Sequence, residues 1–291
     1  MGKSRNCGQS TGRMSTAAMR LAYVLPFVVA LSVIAAAGTV PLQETGVRRK
    51  ALVENLIGET SIFLECGQSD SWSDVEAMKR RGGYSDKEMA EALSEVLDRT
   101  TGDTNAWRGR IRAGAAIVLG KYGTAENLPL LRKIALAKDD PAAVCAYQSY
   151  QRLAPFDAIV DLVDETYGDS SAKYYRRIRG LFFRSMEAAV DAGNLTPEQR
   201  LRVIEFAKRR VAKEADVRDV LELDGVLSRL DGGYASSRER ALNIGQALKR
   251  DTAVDAVELH CAVERLKTAR DLILDADRRN AEGASGRGLQ K

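Results

Sequence analysis

Apolar residues recur three or four positions apart along most of the chain, which is the spacing of one face of an α-helix. Three such stripes are Trp107, Ile111, Ala115, Val118 and Tyr122; Leu128, Leu131, Ile134 and Ala135; and Phe156, Ile159, Val160, Val163 and Tyr167. Only residues 60–66 (TSIFLEC) have a composition that suits a β-strand. The pattern therefore predicts an all-α protein, with its longest helix at about residues 252–278.

Polar residues that cap helices fall between these stripes. In a capping box, a Ser or Thr and the acidic or amide residue three positions later satisfy each other's backbone donors. The predicted caps are Ser73 with Glu76, Ser85 with Glu88, Ser236 with Glu239, Thr196 before Pro197, and Asp140 before Pro141. The chain is predicted to consist of many short helices joined by tight turns.

A Gly-Gly-Tyr sequence occurs twice, at residues 82–84 and 232–234, each time just before a predicted helix. A phosphate-binding loop would need a strand before it and a Lys-Ser/Thr pair after it, and neither copy has them. Glycine is the usual residue where a helix ends in a left-handed conformation. We therefore interpret Gly82 and Gly83 as the end of a helix.

The segments 105–138 and 141–167 align with each other, Leu119 with Leu153 and Leu128 with Ile159, at offsets of 34 and 31 residues. The run from Ala115 to Gly120, the turn after it and the Asn127-Leu128-Pro129 start of the next helix resemble HEAT-type helical repeats. The resemblance implies an irregular α-solenoid of antiparallel helix pairs whose concave surface binds another protein. It implies no enzymatic chemistry and no cofactor.

The predicted organisation follows from these patterns. It comprises a signal peptide at residues 1–37, an N-terminal helical region at 38–104, HEAT-like repeats at 105–250, a long C-terminal helix at 251–278 and a disordered tail at 279–291. The repeat resemblance is closest over 105–167, and the period drifts from 171 onwards.

Residues 21–37 form an apolar run that follows basic residues and ends in Ala35-Ala36-Ala37. This layout predicts a secretory signal peptide and an exported protein, periplasmic or secreted. An uncleaved membrane anchor is the alternative, since about 18 apolar residues are just enough to span a bilayer. Contact with a membrane is expected only if residues 21–37 are retained.

The net charge of +4 comes from the leader. Residues 1–37 hold four basic residues and no acidic one, so the rest of the chain carries 40 of each sign. A neutral body gives no electrostatic reason to expect nucleic acid as a partner.

After the leader, Cys66, Cys145 and Cys261 allow at most one internal disulfide, and Cys145 is predicted to be a buried small hydrophobe.

Few residues suggest catalysis or metal binding. His260 is the only histidine, and its neighbour Cys261 points about 100° away from it on a helix, so the two cannot easily share a metal ion. Ser170 and Lys173 match a Ser-x-x-Lys pair, but the companion motifs of enzymes that use it are missing. The acidic groups Asp161, Asp164 and Glu165, and Asp216, Asp219 and Glu222, are predicted to lie on solvated helix faces.

Aromatic and basic side chains alternate in residues 173–184 (KYYRRIRGLFFR). Helical spacing places Tyr174, Ile178 and Leu181 together on an inward face and leaves Arg177 and Arg184 together outside. These two arginines are the predicted partner-binding surface, for a protein or an acidic glycan. The expected function is that of a non-enzymatic scaffold or adaptor that binds another envelope protein. The alternative is a glycan-binding protein or a carboxylate-dependent hydrolase on a helical frame.

Overall fold

The computed structural model describes residues 42–58, 71–103, 105–169, 172–214 and 216–287. The leader, the predicted strand at 60–66 with Cys66, and Ser170 lie outside the described residues. Two compact units are present, Met1–Arg49 and Lys50–Lys291, and the first contributes only the beginning of helix α1 to the described residues. All regular secondary structure in the described ranges is helical, which confirms the predicted all-α class.

The helices are α1 Leu42–Gly58, α2 Ser71–Gly82, α3 Asp86–Arg99, α4 Ala106–Tyr122, α5 Leu128–Ala135, α6 Ala143–Leu153, α7 Phe156–Glu165, α8 Tyr175–Asp191, α9 Pro197–Val211, α10 Val217–Leu230, α11 Gly232–Ala235, α12 Arg238–Arg250 and α13 Ala256–Arg287. Short 3-10 turns lie at Ala125–Asn127 and Thr166–Gly168. None of the helices in the described ranges is both long and apolar enough to cross a bilayer.

Local capping signals are confirmed at the start of α3 and of α9. Ser85 and Glu88 form the reciprocal capping box, and Thr196 forms one with Gln199. Gly83 has φ 59°, and the Tyr84 amide donates to the Lys79 carbonyl at 3.0 Å, as in the left-handed ending of a helix. The first Gly-Gly-Tyr sequence therefore ends α2.

The second Gly-Gly-Tyr sequence folds differently from the first. Asp231 accepts hydrogen bonds from the amides of Gly233 and Tyr234 and so caps the short helix α11, whereas the first copy has Arg81 at the equivalent position. This extra turn shifts the next helix, and the N-cap of α12 is Ser237 rather than the predicted Ser236.

Two other predicted caps are wrong. Ser73 lies inside α2, which begins at Ser71, and the Glu76 carboxylate accepts from the Tyr122 hydroxyl at 3.0 Å. Helix α6 begins at Ala143 instead of residue 141. Asp140 instead accepts from the Ala142 amide and forms an ion pair with an arginine of α4.

The core of the second unit is formed both by helices adjacent in the chain, namely α3 with α4, α5 with α6, α9 with α10 and α12 with α13, and by helices that lie two apart. Helix α4 packs on α6, α6 on α8, α8 on α10, and α10 on α12, while α7 also packs on α9. The predicted stripe of α4 is buried from Ile111 to Tyr122, but Trp107, in the first turn, is 39% exposed. Cys145, predicted to be buried, is only partly so.

The final helix α13 continues to Arg287, beyond residue 278 where the sequence predicted a disordered tail. Ala262 and Ala269 are buried, whereas Val257 and Leu274 are exposed. Helix α13 packs against α12 and α10.

The contact between α4 and α6 depends on a glycine. A Cβ atom at Gly120 would lie 2.7 Å from the Ser149 Cβ and 2.9 Å from its Cα, which is closer than such atoms approach. Ser149 is fully buried, and its hydroxyl donates to the Ala116 carbonyl of α4 at 2.7 Å. At this point the backbone of α4 at Gly120 therefore contacts the side chain of Ser149 on α6.

We expect Gly120→Ala to lower the free energy of unfolding by about 1–3 kcal/mol, because α4 and α6 must separate to admit the methyl group. Gly245→Ala in α12 is the matched control, since no atom lies within 4 Å of the added Cβ. The control should be neutral or stabilising by up to about 1 kcal/mol through helix propensity. Thermal or urea unfolding measures both, and equal effects would contradict the close approach.

The Tyr147 hydroxyl is buried and has no hydrogen-bond partner within the described residues. Because an unsatisfied buried hydroxyl costs about 1–3 kcal/mol, we expect Tyr147→Phe to leave stability unchanged or raise it by about 1 kcal/mol. Urea unfolding provides the measurement. A clear loss of stability would contradict the assignment of this hydroxyl as unpaired.

Candidate functional site

Helix α8 carries both predicted surface arginines and the centre of the core. Ile178 and Phe182 are fully buried, and the Phe182 ring meets the Phe206 ring of α9 edge to face at 5.8 Å. Arg177 and Arg184 are both exposed, on the opposite side of the helix. Their role in binding stays a prediction.

Between these two faces lies Arg179, which is only 5% exposed. Its Nη2 donates to Asp219 Oδ2 of α10 at 2.6 Å, and its Nη1 donates to the Thr166 carbonyl at 2.9 Å. The guanidinium also lies over the Tyr167 ring, 4.7 Å from its centroid. One side chain thereby joins α8 to α10 and to the turn that follows α7.

The prediction that Asp216, Asp219 and Glu222 form a solvated face is wrong. Asp219 is 1% exposed, and Glu222 is half-buried against Gly180 of α8. Asp216 caps α10 and is paired with Arg176. The reason is that α10 is covered by α8, α9, α12 and α13, so faces that an isolated helix would expose are interior here.

Sequence reasoning missed Asp224, which is fully buried on α10. It accepts from Arg240 at 2.8 and 3.0 Å and from Arg265 at 3.0 Å, and so joins α10 to α12 and α13. The signal was present in the sequence, because the acid lies between Leu223 and Gly225 in an otherwise apolar run. Such a buried charge needs a partner.

The three buried arginines of the described chain, Arg112 on α4, Arg179 on α8 and Arg240 on α12, are placed alike. Their helices alternate in the series α4, α6, α8, α10 and α12. Each arginine pairs with a carboxylate from another segment: Asp140, Asp219 and Asp224 respectively. Each also donates to a backbone carbonyl near the end of the preceding element, Leu97, Thr166 and Ala235. The direction of the link differs, since Arg112 and Arg179 bind acids of later segments, whereas Arg240 binds an acid of the earlier helix α10.

Burial shapes the ionisation of this region. It raises the pKa of Asp219, against the opposing charge of Arg179. Burial also raises the pKa of Glu222, and the neighbouring Asp219 raises it further. For the same reason the pKa of the Tyr167 hydroxyl lies well above its ordinary value. The α8–α10 contact thus holds two acids that resist ionisation.

The carboxylates of α7 are used in ion pairs with other helices. Asp161 pairs with Arg202, Asp164 with Arg209 and Arg210 of α9, and Glu165 with Arg132 of α5. Although burial opposes it, the two arginines lower the pKa of Asp164. Asp161 and Glu165 are exposed, as predicted, so each of their ion pairs contributes at most about 1 kcal/mol, whereas Asp164 is partly buried.

The remaining candidates are dispersed. His260 and Cys261 are exposed on α13. Lys173 is exposed above the Tyr174 ring, 5.2 Å from its centroid, and its predicted partner Ser170 is not among the described residues. Within the described ranges no three His, Cys, Asp or Glu side chains are grouped to hold a metal ion.

Comparison with protein-family models, with curated proteins and with solved structures gives no match in any of the three. The interpretation of this site therefore rests on its own geometry.

We expect Arg179→Met to lower the free energy of unfolding by about 3–5 kcal/mol, because it leaves the Asp219 carboxyl buried without its cation. Arg177→Met, two positions earlier on the exposed side of α8, is the matched control and should change stability by no more than about 0.5 kcal/mol. Urea unfolding compares the two. Similar losses in both variants would contradict the structural importance of the buried guanidinium.

Proposed function

We propose that this protein is an exported, non-enzymatic α-solenoid of HEAT-like helix pairs that acts as a scaffold or adaptor for another envelope protein. The observation that carries the proposal is the packing of α4, α6, α8, α10 and α12 on one another in chain order. A stack in which helices two apart make contact is what repeated helix pairs produce.

The partner-binding surface is the exposed side of α8, with Arg177 and Arg184. The neighbouring arginines form ion pairs within the protein: Arg176 with Asp216 and Arg179 with Asp219. Among the described residues, neither Arg177 nor Arg184 forms an ion pair. Two unneutralised guanidinium groups on one rigid helix suit an acidic segment of a partner protein.

A carboxylate-dependent hydrolase is the less favoured function. Cleavage of a glycosidic bond needs two carboxyl groups that face each other across the substrate. The acids of α7 instead pair with arginines of α5 and α9, and Asp219 is buried against Arg179. Export rests on the apolar run at residues 21–37, which lies outside the described residues.

Crosslinking and pull-down of the tagged protein from its envelope fraction should recover a stoichiometric protein partner. We expect the double variant Arg177→Glu/Arg184→Glu to reduce its recovery at least about tenfold, since reversed charges would repel an acidic partner. Arg110→Glu, an exposed arginine on α4, is the control and should bind normally.

Mass spectrometry identifies the bound protein. Retention of a glycan or small molecule with no protein partner would contradict the scaffold proposal. A partner that the double variant binds as well as the wild type would contradict the assignment of the surface to α8 while leaving the scaffold intact.

A further inference from the structure

Two acids of α10 share one buried site. Asp219 and Glu222 are three positions apart, so their side chains are neighbours on one face of the helix. Asp219 is paired with Arg179 at 2.6 Å, whereas the closest cation to Glu222, Arg218, lies at 3.7 Å in an exposed position. The buried guanidinium of Arg179 is therefore paired with Asp219, and Glu222 has no buried cation of its own within the described residues.

Each acid has one buried oxygen without a hydrogen-bond partner among the described residues: Oδ1 of Asp219 and Oε2 of Glu222. If both groups were ionised, these oxygens would be two unsatisfied acceptors in a site shielded from water, which costs free energy. The Nε of Arg179 is also buried without a partner among the described residues. A proton on Glu222 removes one of the two negative charges, and the spacing of three residues on one helix face puts its carboxyl group within reach of Asp219.

We propose that Asp219 and Glu222 hold a single proton between them in the folded protein, and that its release to solvent as the pH rises loosens the contact between α8 and α10. The proton resides mainly on Glu222, because Arg179 stabilises the ionised form of Asp219. Its loss leaves two carboxylates beside one arginine in the interface.

The charged groups around the pair favour this assignment. On α8, Arg179 pairs with Asp219 and Arg176 is neutralised by Asp216, while exposed Arg184 acts on Glu222 only through its charge. Glu187 of α8 lies against Gly225 of α10, three positions beyond Glu222. Glu214, just before α10, adds negative charge near Asp219. On the α9 side, Arg210 lies over the Tyr167 ring, and on the α13 side, Arg265 pairs with Asp224 one turn further along.

The direction of the pH effect follows from linkage. Acids whose pKa is raised by folding bind more protons in the native than in the unfolded state, so stability falls as the pH rises from the ordinary carboxyl range towards the folded-state value. Below that range both acids are protonated in the native and the unfolded state, and the pair makes no pH-dependent contribution to stability. Acids with lowered pKa values, such as Asp164 and Asp231, act in the opposite direction, so the pair must be isolated by comparison with a variant.

The test is the melting temperature of the full chain, measured from pH 4 to pH 8, for the wild type and for Glu222→Gln. The amide keeps the shape of the side chain and cannot ionise. We expect the wild type to lose a few degrees relative to Glu222→Gln as the pH rises. Hydrogen exchange of peptides from α8 and α10 should show faster opening of the wild type over the same range, after correction for the intrinsic exchange rate.

Glu187→Gln is the matched control, because it is the same substitution at a partly exposed glutamate of α8. Its Oε1 lies 3.9 Å from Nη2 of Arg229. Its melting curve should run parallel to that of the wild type. Asp219→Asn is the second variant and should also remove the pH-dependent loss, even if its stability is lower throughout. The proposal is overturned if the difference between the wild type and Glu222→Gln is the same at every pH.

Discussion

The buried arginine that links one helix of the stack to others is the interaction on which the structure depends. A guanidinium group taken out of water loses several kcal/mol of hydration, which only a close carboxylate and further acceptors can restore. Arg112 donates to Asp140 and the Leu97 carbonyl. Arg179 donates to Asp219 and the Thr166 carbonyl, while its Nε has no partner among the described residues. Because acceptors from different segments must converge on one planar group, the helices can meet these requirements in only one relative position.

That requirement explains what apolar packing alone would leave open. The core side chains are aliphatic or alanine at many contacts, such as Ala115, Ala116 and Ala146, and their burial is a non-directional driving force. The Gly120–Ser149 contact determines how closely α4 and α6 approach each other. The Arg112–Asp140 ion pair determines where the start of α6 lies along the axis of α4. Hydrophobic burial supplies most of the free energy, while the ion pairs and the glycine define the arrangement.

Features that depend on a few adjacent residues were predictable from the sequence. The capping boxes at Ser85 and Thr196 and the left-handed Gly83 follow from local hydrogen bonding, and the structure confirms them. The partners of Asp219 and Asp224 were not predictable from periodicity, because Arg179, Arg240 and Arg265 lie on helices other than α10. Likewise, the shift from Ser236 to Ser237 arose from Asp231, which capped a turn that the pattern of apolar residues does not reveal.

The two faces of α8 are electrostatically connected. The charge of exposed Arg184 favours the ionised form of Glu222, so it weakens the hold of the acid pair on its proton. An acidic partner that neutralised Arg184 would remove this effect and make protonation of the pair easier. By linkage, protonation of the pair would in turn strengthen binding of that partner. Because Arg184 is exposed, solvent and salt screen its charge, so this coupling is strongest at low ionic strength.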